Sequence, residues 1–192
     1  MSSPSPYWIR VYHLNIGIGD SGLIVVLKGD RSDPTLAACV LIDGGKASAW
    51  RQKILPRIEL IKKDLKLDEL RFSAIVLTHL DEDHWGGLNT FLSIAYNADN
   101  PDSKDFRQYL TFNNKPTRFY NHRVMYGVGG DKYNLPKSLS GLQEEKLIQV
   151  MDYTKDAEEV DVADQQTLIG REILWDDDKK NSSVRSFRTI TF

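Results

Sequence analysis

The segment "LTHLDEDHWGG" (Leu77–Gly87) decides how the rest of the sequence is interpreted. Within six residues it places two histidines and three acids, directly after the apolar run "AIVL" (Ala74–Leu77). Imidazole nitrogens and carboxylate oxygens are the donors that zinc, manganese and iron accept in hydrolytic sites. A tryptophan and two glycines follow, and glycines are typical where backbone passes close to another part of the chain. The segment predicts a metal-binding loop at the end of a buried strand, with a solvated acidic turn as the alternative.

Four side chains of this segment are the candidate metal ligands. Their spacing is H-x-D-x-D-H, formed by His79, Asp81, Asp83 and His84. A loop that leaves a strand can turn alternating side chains toward one point, and the adjacent Asp83 and His84 suit a second metal position nearby. The same alternation predicts that Glu82 is exposed. We expect one or two divalent ions, with zinc first and manganese or iron as alternatives.

A glycine-rich stretch earlier in the chain imitates a nucleotide-binding loop. Gly17, Gly19 and Gly22 spell G-x-G-x-x-G after a predicted strand, and Asp43 follows at a suitable distance. That fingerprint requires a helix after the glycines to point its N-terminus at the pyrophosphate. Here the next residues are "LIVVL", which favour a strand. We interpret the stretch as a turn between two strands and reject nucleotide binding.

Composition and charge limit the class of protein. The chain has 192 residues, 41% of them hydrophobic, which is enough for one domain with a real core. A net charge of -2 argues against a protein that coats nucleic acid, although a bound metal could still attract a phosphodiester. The single cysteine, Cys39, excludes an internal disulfide framework and is predicted to be an inert core residue. Without a long apolar run or a secretory signal pattern, we expect a cytoplasmic or otherwise intracellular protein.

The chain divides into a short leader and one predicted domain. Residues 1–6 read as a flexible leader, and residues 7–192 as the domain. Residues 7–97 form its N-terminal half, which carries the metal motif, and residues 98–192 form an insertion and a partial second half.

Hydrophobic patterning predicts strands and helices that alternate along the chain. Three β-branched and aromatic runs start near Trp8, Leu23 and Ala37, which indicates an antiparallel meander. The later predictions are a helix at 47–67 interrupted by Pro56, a strand at 72–80, a helix at 85–96, a polar surface excursion at 97–115, a short strand within 117–126, and a helix at 138–156.

These motifs carry a resemblance to a known family. The segment from His79 to Gly87 resembles the metal-binding signature of the metallo-β-lactamase fold superfamily, usually H-x-H-x-D-H followed by glycines. Asp81 stands at the position of the second histidine, which is similar to the ComEC-like branch of competence proteins. That branch also shows a "DVGQGDS" type turn and a strand ending "IDGG", and this chain has "LNIGIGDS" and "LIDGG" in the same order. The resemblance spans residues 8 to about 95 and implies an α/β (α+β) fold, an αββα sandwich.

The resemblance implies a metal-dependent hydrolase that acts through a metal-bound hydroxide, with phosphodiester or nucleic-acid substrates as the branch-level expectation. His79 and Asp81 would hold one metal and Asp83 and His84 a second, while Asp83 also serves as the catalytic residue that orients the hydroxide. Fold analogy does not identify the substrate, so a small molecule remains open.

The resemblance also assigns a supporting role to Asp43. This acid would hydrogen-bond the metal loop from the second shell without binding metal. Its alternative is an acid that caps the helix starting near Ala47. Asp20 either ties the same loop down or serves its turn, and we favour the turn.

The distal ligands of the superfamily have few counterparts in this sequence. His122 is the one downstream candidate ligand, and we interpret it first as a surface or hydrogen-bonded imidazole. His13 is predicted to be a packed core histidine. The acids at 176–178 precede the expected position of the bridging acid. We therefore expect a stand-alone soluble relative without a membrane span, incomplete in its second half.

Two functional hypotheses follow from that incompleteness. The first is the hydrolase, and the alternative is a non-catalytic or fragmentary fold member with an incomplete metal site; whether the protein is an enzyme is left open. A truncated second half would expose an apolar sheet face, which predicts a protein partner or a second copy of the chain over it.

Overall fold

A single six-stranded sheet organises the part of the chain that the structure describes. The structure is a computed structural model that describes residues 7–78, 81–121 and 135–151. They lie within one unit, Met1–Thr154, and the second unit, Lys155–Phe192, is outside the described residues. The strands follow one another across the sheet in chain order: β1 (Tyr7–His13), β2 (Gly22–Asp30), β3 (Asp33–Ile42), β4 (Ala74–Val76), β5 (Thr117–Tyr120) and β6 (Ile148–Met151). The predicted α/β class is confirmed.

The first three strands form the predicted antiparallel meander. Tyr7 pairs with Lys28 at one end of β1 and His13 with Gly22 at the other, and β2 pairs with β3 in the same antiparallel sense. The strand that begins at Gly22 confirms that the glycine-rich stretch is a turn between strands. Its β-branched and apolar residues pack well on a pleated surface, which explains why no helix forms there.

The remaining strands run parallel, and this arrangement creates the edge where the site lies. β3 pairs with β4, β4 with β5 and β5 with β6, all in parallel. Ile42, Val76 and Tyr120 are neighbours in the register, so three strands end side by side. The residues that leave these strands come together at the carboxyl edge, where parallel sheets place ligand sites.

Helices connect the parallel strands. A π-helical turn, Trp50–Ile54, leads into α1 (Leu55–Asp64), and Pro56 lies in the first turn of α1. The predicted helix is therefore interrupted near Pro56, as expected, because proline lacks an N–H and fits best at a helix start. The other helices are α2 (Glu82–Tyr96), α3 (Ser103–Arg107) and α4 (Leu135–Glu144). No helix in the described ranges is long and apolar enough to cross a membrane.

One hydrophobic cluster joins the sheet to the helices. Trp50 stacks on Phe91 of α2 with ring centroids 4.2 Å apart, and Phe72 meets Phe91 edge to face at 6.0 Å. Cys39 is fully buried in this cluster, as predicted, and burial raises the pKa of its thiol. Packing of this kind fixes α1 and α2 against the sheet and so fixes the start of α2.

Several predicted elements are wrong in type or extent. The helix expected at 138–156 ends at Glu144, and the apolar residues after it enter β6. The excursion at 97–115 is not wholly on the surface, because Phe106 and Leu110 are buried in the core. Apolar residues three and four apart fit a helix, but a short run of them also fits a buried strand.

His13 is not the packed core histidine that we predicted. It is the last residue of β1, and its side chain is exposed. Among the described strands, β1 lies at the edge of the sheet and has one neighbour, β2. The sequence pattern of a strand does not reveal whether that strand lies at an edge.

Candidate metal centre

Three glycine-bearing turns meet at the carboxyl edge of β3 and β4. The Gly44 N–H donates to the His84 carbonyl oxygen (2.6 Å), the Gly45 N–H donates to the Asp20 carbonyl oxygen (3.1 Å), and the Gly87 N–H donates to the Gly45 carbonyl oxygen (2.8 Å). The three motifs quoted from the sequence thus form one structure, which we call the motif junction: Gly19, Asp20, Asp43–Gly45, Thr78 and Asp83–Gly87.

Close approach of backbone to backbone explains the glycines of the motif junction. A Cβ atom on Gly87 would overlap the carbonyl oxygen of Gly44, and one on Gly19 would overlap the carbonyl oxygen of Asp83. Gly19 also has a φ of +92°, which favours glycine. No side chain fits between these turns, so the glycines set the position of Asp83 relative to the rest of the site.

Asp43 is the buried centre of the motif junction. Its Oδ1 accepts a hydrogen bond from the Thr78 N–H (2.8 Å), and its Oδ2 accepts one from the Thr78 hydroxyl (2.6 Å). The same Oδ2 lies 3.0 Å from His84 Nδ1. The helical turn that follows begins at Trp50 without a side-chain cap. The alternative role of Asp43 as a helix cap is therefore wrong, and its carboxylate joins the end of β4 to the start of α2.

His84 is held in one orientation by that carboxylate. The side chain is 9% exposed, and Nδ1 faces Asp43. In the neutral imidazole, Nδ1–H then donates to the acid, an assignment that rests on this geometry, and Nε2 carries the lone pair that a metal ion could accept. Nε2 lies 4.0 Å from both Asp20 Oδ2 and Asp83 Oδ1. The histidine therefore presents Nε2 to a region bordered by two carboxylates.

The local structure of the predicted ligands differs from the loop that we expected. Helix α2 begins at Glu82, inside the cluster, and Asp81 occupies its N-cap position. Asp83 and His84 therefore lie in the first turn of a helix. Glu82 is exposed as predicted, but because of helix geometry and not because of strand alternation. An acid at the N-cap and acids in the first turn are signals of a helix start that could have located it.

The described donors fit the chemistry of a divalent metal site. Two ligand atoms of a tetrahedral zinc ion, each about 2.1 Å from it, are about 3.4 Å apart. The two carboxylate oxygens at 4.0 Å from His84 Nε2 would therefore have to move about half an ångström closer to share one ion with it. A histidine with a carboxylate behind it is the usual form of a metal-binding imidazole. Across the described ranges, no group of three or more His, Cys, Asp or Glu side chains is arranged to hold a metal ion. His79, His122 and the acids at 176–178 lie outside those ranges.

Two residues near His84 add to the predicted site: Thr78 was not predicted, and Asp20 was assigned first to its own turn, with tying down the metal loop as the alternative. Thr78 gives Asp43 two hydrogen bonds, and the Asp20 side chain, 66% exposed, lies against His84 Nε2. Asp20 also ties the loop through its backbone, so it serves more than its own turn. The "GDS" that closes the glycine-rich stretch was the sequence signal that could have indicated Asp20. The short distance between Asp20 and His84 arises only when the sheet folds.

Comparison with known proteins gives one finding at the level of the family. The model of the family described as "Metallo-beta-lactamase superfamily" matches residues 35–147, more than half of the chain. No curated protein and no solved structure matches. The matched residues include Thr78, the whole of α2, and Asp43 and His84, the two buried ionisable side chains of the motif junction. The chain belongs to the metallo-beta-lactamase superfamily.

Proposed function

We propose that this protein is a metal-dependent hydrolase of phosphodiester bonds, with His79, Asp81, Asp83 and His84 as metal ligands. Membership of the superfamily supports metal-dependent hydrolysis in general. The ligand set, the choice of one or two ions of zinc, or of manganese or iron, and the substrate are our proposal. The phosphodiester rests on the resemblance of the three motifs to the ComEC-like branch.

The observation that carries the proposal is the buried contact between Asp43 and His84. A carboxylate 3.0 Å from Nδ1 sets the tautomer and fixes the ring, while two further carboxylates lie 4.0 Å from Nε2. Burying an acid and an imidazole is costly unless each is hydrogen-bonded. This arrangement supplies those bonds on one side of the ring and presents the ligating nitrogen on the other.

Each residue of the site has a separate role in the proposed reaction. A divalent ion supplies a Lewis acid and lowers the pKa of a coordinated water. Asp43 would hold His84 in place, and His84 Nε2 would bind the metal ion. Asp83, whose side chain is 36% exposed, accepts a hydrogen bond from the attacking water and orients it toward the phosphorus. Its place in the first turn of α2 puts the side chain near the positive end of the helix dipole.

The exposed face of β1 supports the predicted partner. Tyr7, Ile9 and Val11 alternate along this edge strand and are 58%, 39% and 72% exposed. A protein partner or a second copy of the chain over this face stays a prediction.

Hydrolysis by a pair of matched variants tests the proposed function. The full chain is assayed with zinc or manganese on bis(p-nitrophenyl) phosphate and on a single-stranded oligonucleotide. Asp83→Ala should lower kcat/KM at least about 100-fold, because it removes a ligand that also positions the nucleophile. Glu82→Ala removes an acid of the same turn that is exposed and should leave kcat/KM unchanged.

Two results would contradict the proposal. Equal activity of Asp83→Ala and Glu82→Ala would remove Asp83 from the mechanism. A folded wild-type protein that hydrolyses neither substrate with any of the metals would favour the alternative, a non-catalytic member of the superfamily.

A further inference from the structure

A groove separates the glycine-rich turn from helix α1. It encloses a cavity of about 340 Å³, and a second cavity of about 320 Å³ shares three of its residues, so that the two form one trough. We call the first cavity the basic groove. It is lined by Asn15, Gly17, Gln52, Lys53, Pro56, Arg57 and Leu60.

The basic groove carries two cations and no acid. Lys53 and Arg57 are four residues apart along the helical segment, which places them on one face. Within the described ranges neither has an ion-pair partner, whereas Arg51, Lys62, Arg71 and Arg107 each have one. In a chain of net charge -2, two unpaired cations in one concave site make a local positive potential.

The neutral lining of the basic groove is suited to a polar anion. Asn15 and Gln52 supply amide N–H donors. Gly17 has a φ of +90°, and apart from its two chain neighbours no described residue has an atom within 4 Å of the position that its Cβ would occupy. The backbone is therefore open to a ligand at Gly17, unlike the backbone at Gly19.

The glycine-rich turn connects the basic groove to the candidate metal centre. Gly17 lines the groove, and Gly19, two residues later, lies against the Asp83 backbone. A ligand that occupies the groove would therefore lie on the same turn that contacts Asp83.

We propose that the basic groove binds phosphate groups of the substrate, with Lys53 and Arg57 as their principal contacts. This inference rests on the proposed function and extends it to the substrate class, a single strand of nucleic acid. Arg57 can bind two phosphate oxygens at once, and Lys53 acts as a point charge. The trough continues past Arg57 to Tyr12, His13 and Asp64, and the acid at that end confines the phosphate contacts to the basic groove.

Binding of a single-stranded oligonucleotide to charge-reversed proteins tests this inference. Fluorescence anisotropy is measured on the full chain with a chelator present, so that no hydrolysis occurs. Lys53→Glu/Arg57→Glu should raise Kd at least about 10-fold, and should reduce the slope of log K against log salt by about 1.4 if both phosphate contacts are lost. The control, Lys63→Glu/Lys66→Glu, makes the same change in net charge at exposed residues outside the groove, and should shift Kd much less.

Competition with inorganic phosphate and with a mononucleotide separates the sources of the phosphate. If the oligonucleotide is displaced only at high salt and not by these small phosphates, the groove binds a nucleic-acid strand. If the small phosphates bind tightly and the oligonucleotide does not, the groove is a site for free phosphate. Equal loss in both double variants, or no binding of any phosphate to the wild type, would overturn the inference. Because hydrolysis is not measured, a protein that binds here but is inactive would contradict only the proposed function.

Discussion

The motif junction and the basic groove share one glycine-rich turn, but they are built in opposite ways. In the junction the carboxylate of Asp43 is buried and engaged by Thr78 and His84, and glycines allow backbones to touch. In the groove Lys53 and Arg57 are exposed and have no ion-pair partner in the described residues. The junction is determined by contacts within the chain, whereas the groove offers its polar groups to a ligand. Substitutions should therefore change stability in the first region and binding in the second.

Glycine-to-alanine substitutions should show the largest difference in stability between the motif junction and the basic groove. Gly87→Ala should lower the free energy of unfolding by about 4 kcal/mol or more, because its Cβ would overlap the Gly44 carbonyl oxygen and neither backbone can move freely. Gly17→Ala, in the groove, should cost only about 1–2 kcal/mol, since open space surrounds it and only its positive φ is unfavourable. Urea denaturation measures both.

Gly22→Ala is the control for this contrast, because its Cβ would lie 3.6 Å from the nearest atom, an ordinary contact. Its effect should be within about 1 kcal/mol. Equal losses at Gly87 and Gly17 would show that the motif junction is less tightly packed than its geometry indicates.

Removal of the buried acid should have the next largest effect. Asp43→Ala should lower the free energy of unfolding by about 3 kcal/mol, because the donors of Thr78 and His84 lose their buried acceptor. Asp43→Asn should cost less, because it keeps one acceptor and tolerates the φ of +54° at this position. Thermal or chemical denaturation gives the values.

Asp33→Ala removes an exposed acid and should change stability by no more than about 0.5 kcal/mol. If Asp43→Ala were as mild as this control, the Asp43 carboxylate would not be the centre that holds β4 to α2.

A conservative change at the far end of the trough should stabilise the protein. The Tyr12 hydroxyl is buried and has no hydrogen-bond partner among the residues that the structure describes, and its burial raises the pKa of this group. Tyr12→Phe should therefore raise the free energy of unfolding by about 1 kcal/mol, since an unsatisfied hydroxyl is removed at constant shape. A loss of stability on chemical denaturation would show that the hydroxyl has a partner in solution.

The smallest effect on stability is expected in the basic groove. Lys53→Ala and Arg57→Ala should each change the free energy of unfolding by less than about 0.5 kcal/mol, because both side chains are exposed and unpaired. Denaturation midpoints that fall by more than about 1 kcal/mol would mean that these cations support the fold, and the groove would lose its interpretation as a ligand site.

The fold class and the first three strands could be predicted because local patterns carry them. β-branched runs separated by glycine turns specify the first three strands, and "LIDGG" and "DEDHWGG" each end at glycines that allow close approach. The resemblance then supplied the pairing between Asp43 and the metal segment, which no local pattern contains.

Features that depend on packing were not predictable. His13 looked internal because its strand is apolar, but β1 lies at an edge. Leu147, Val150 and Met151 fit a helix and a short strand equally, so β6 was missed. Lys53 and Arg57 resemble any solvated pair on a helix, and only the glycine-rich turn opposite them makes a groove.

We expect the start of α2, supported by Asp43, to bind a divalent metal. Zinc titration against a chromophoric chelator tests it most directly, on the full-length wild type and on Asp83→Ala and Glu82→Ala, with circular dichroism to verify folding. Wild type and Glu82→Ala should bind zinc with equal affinity, and Asp83→Ala at least about 10-fold more weakly, as expected when a ligand is removed. Equal affinity in all three proteins, or no zinc binding by the folded wild type, would contradict the claim.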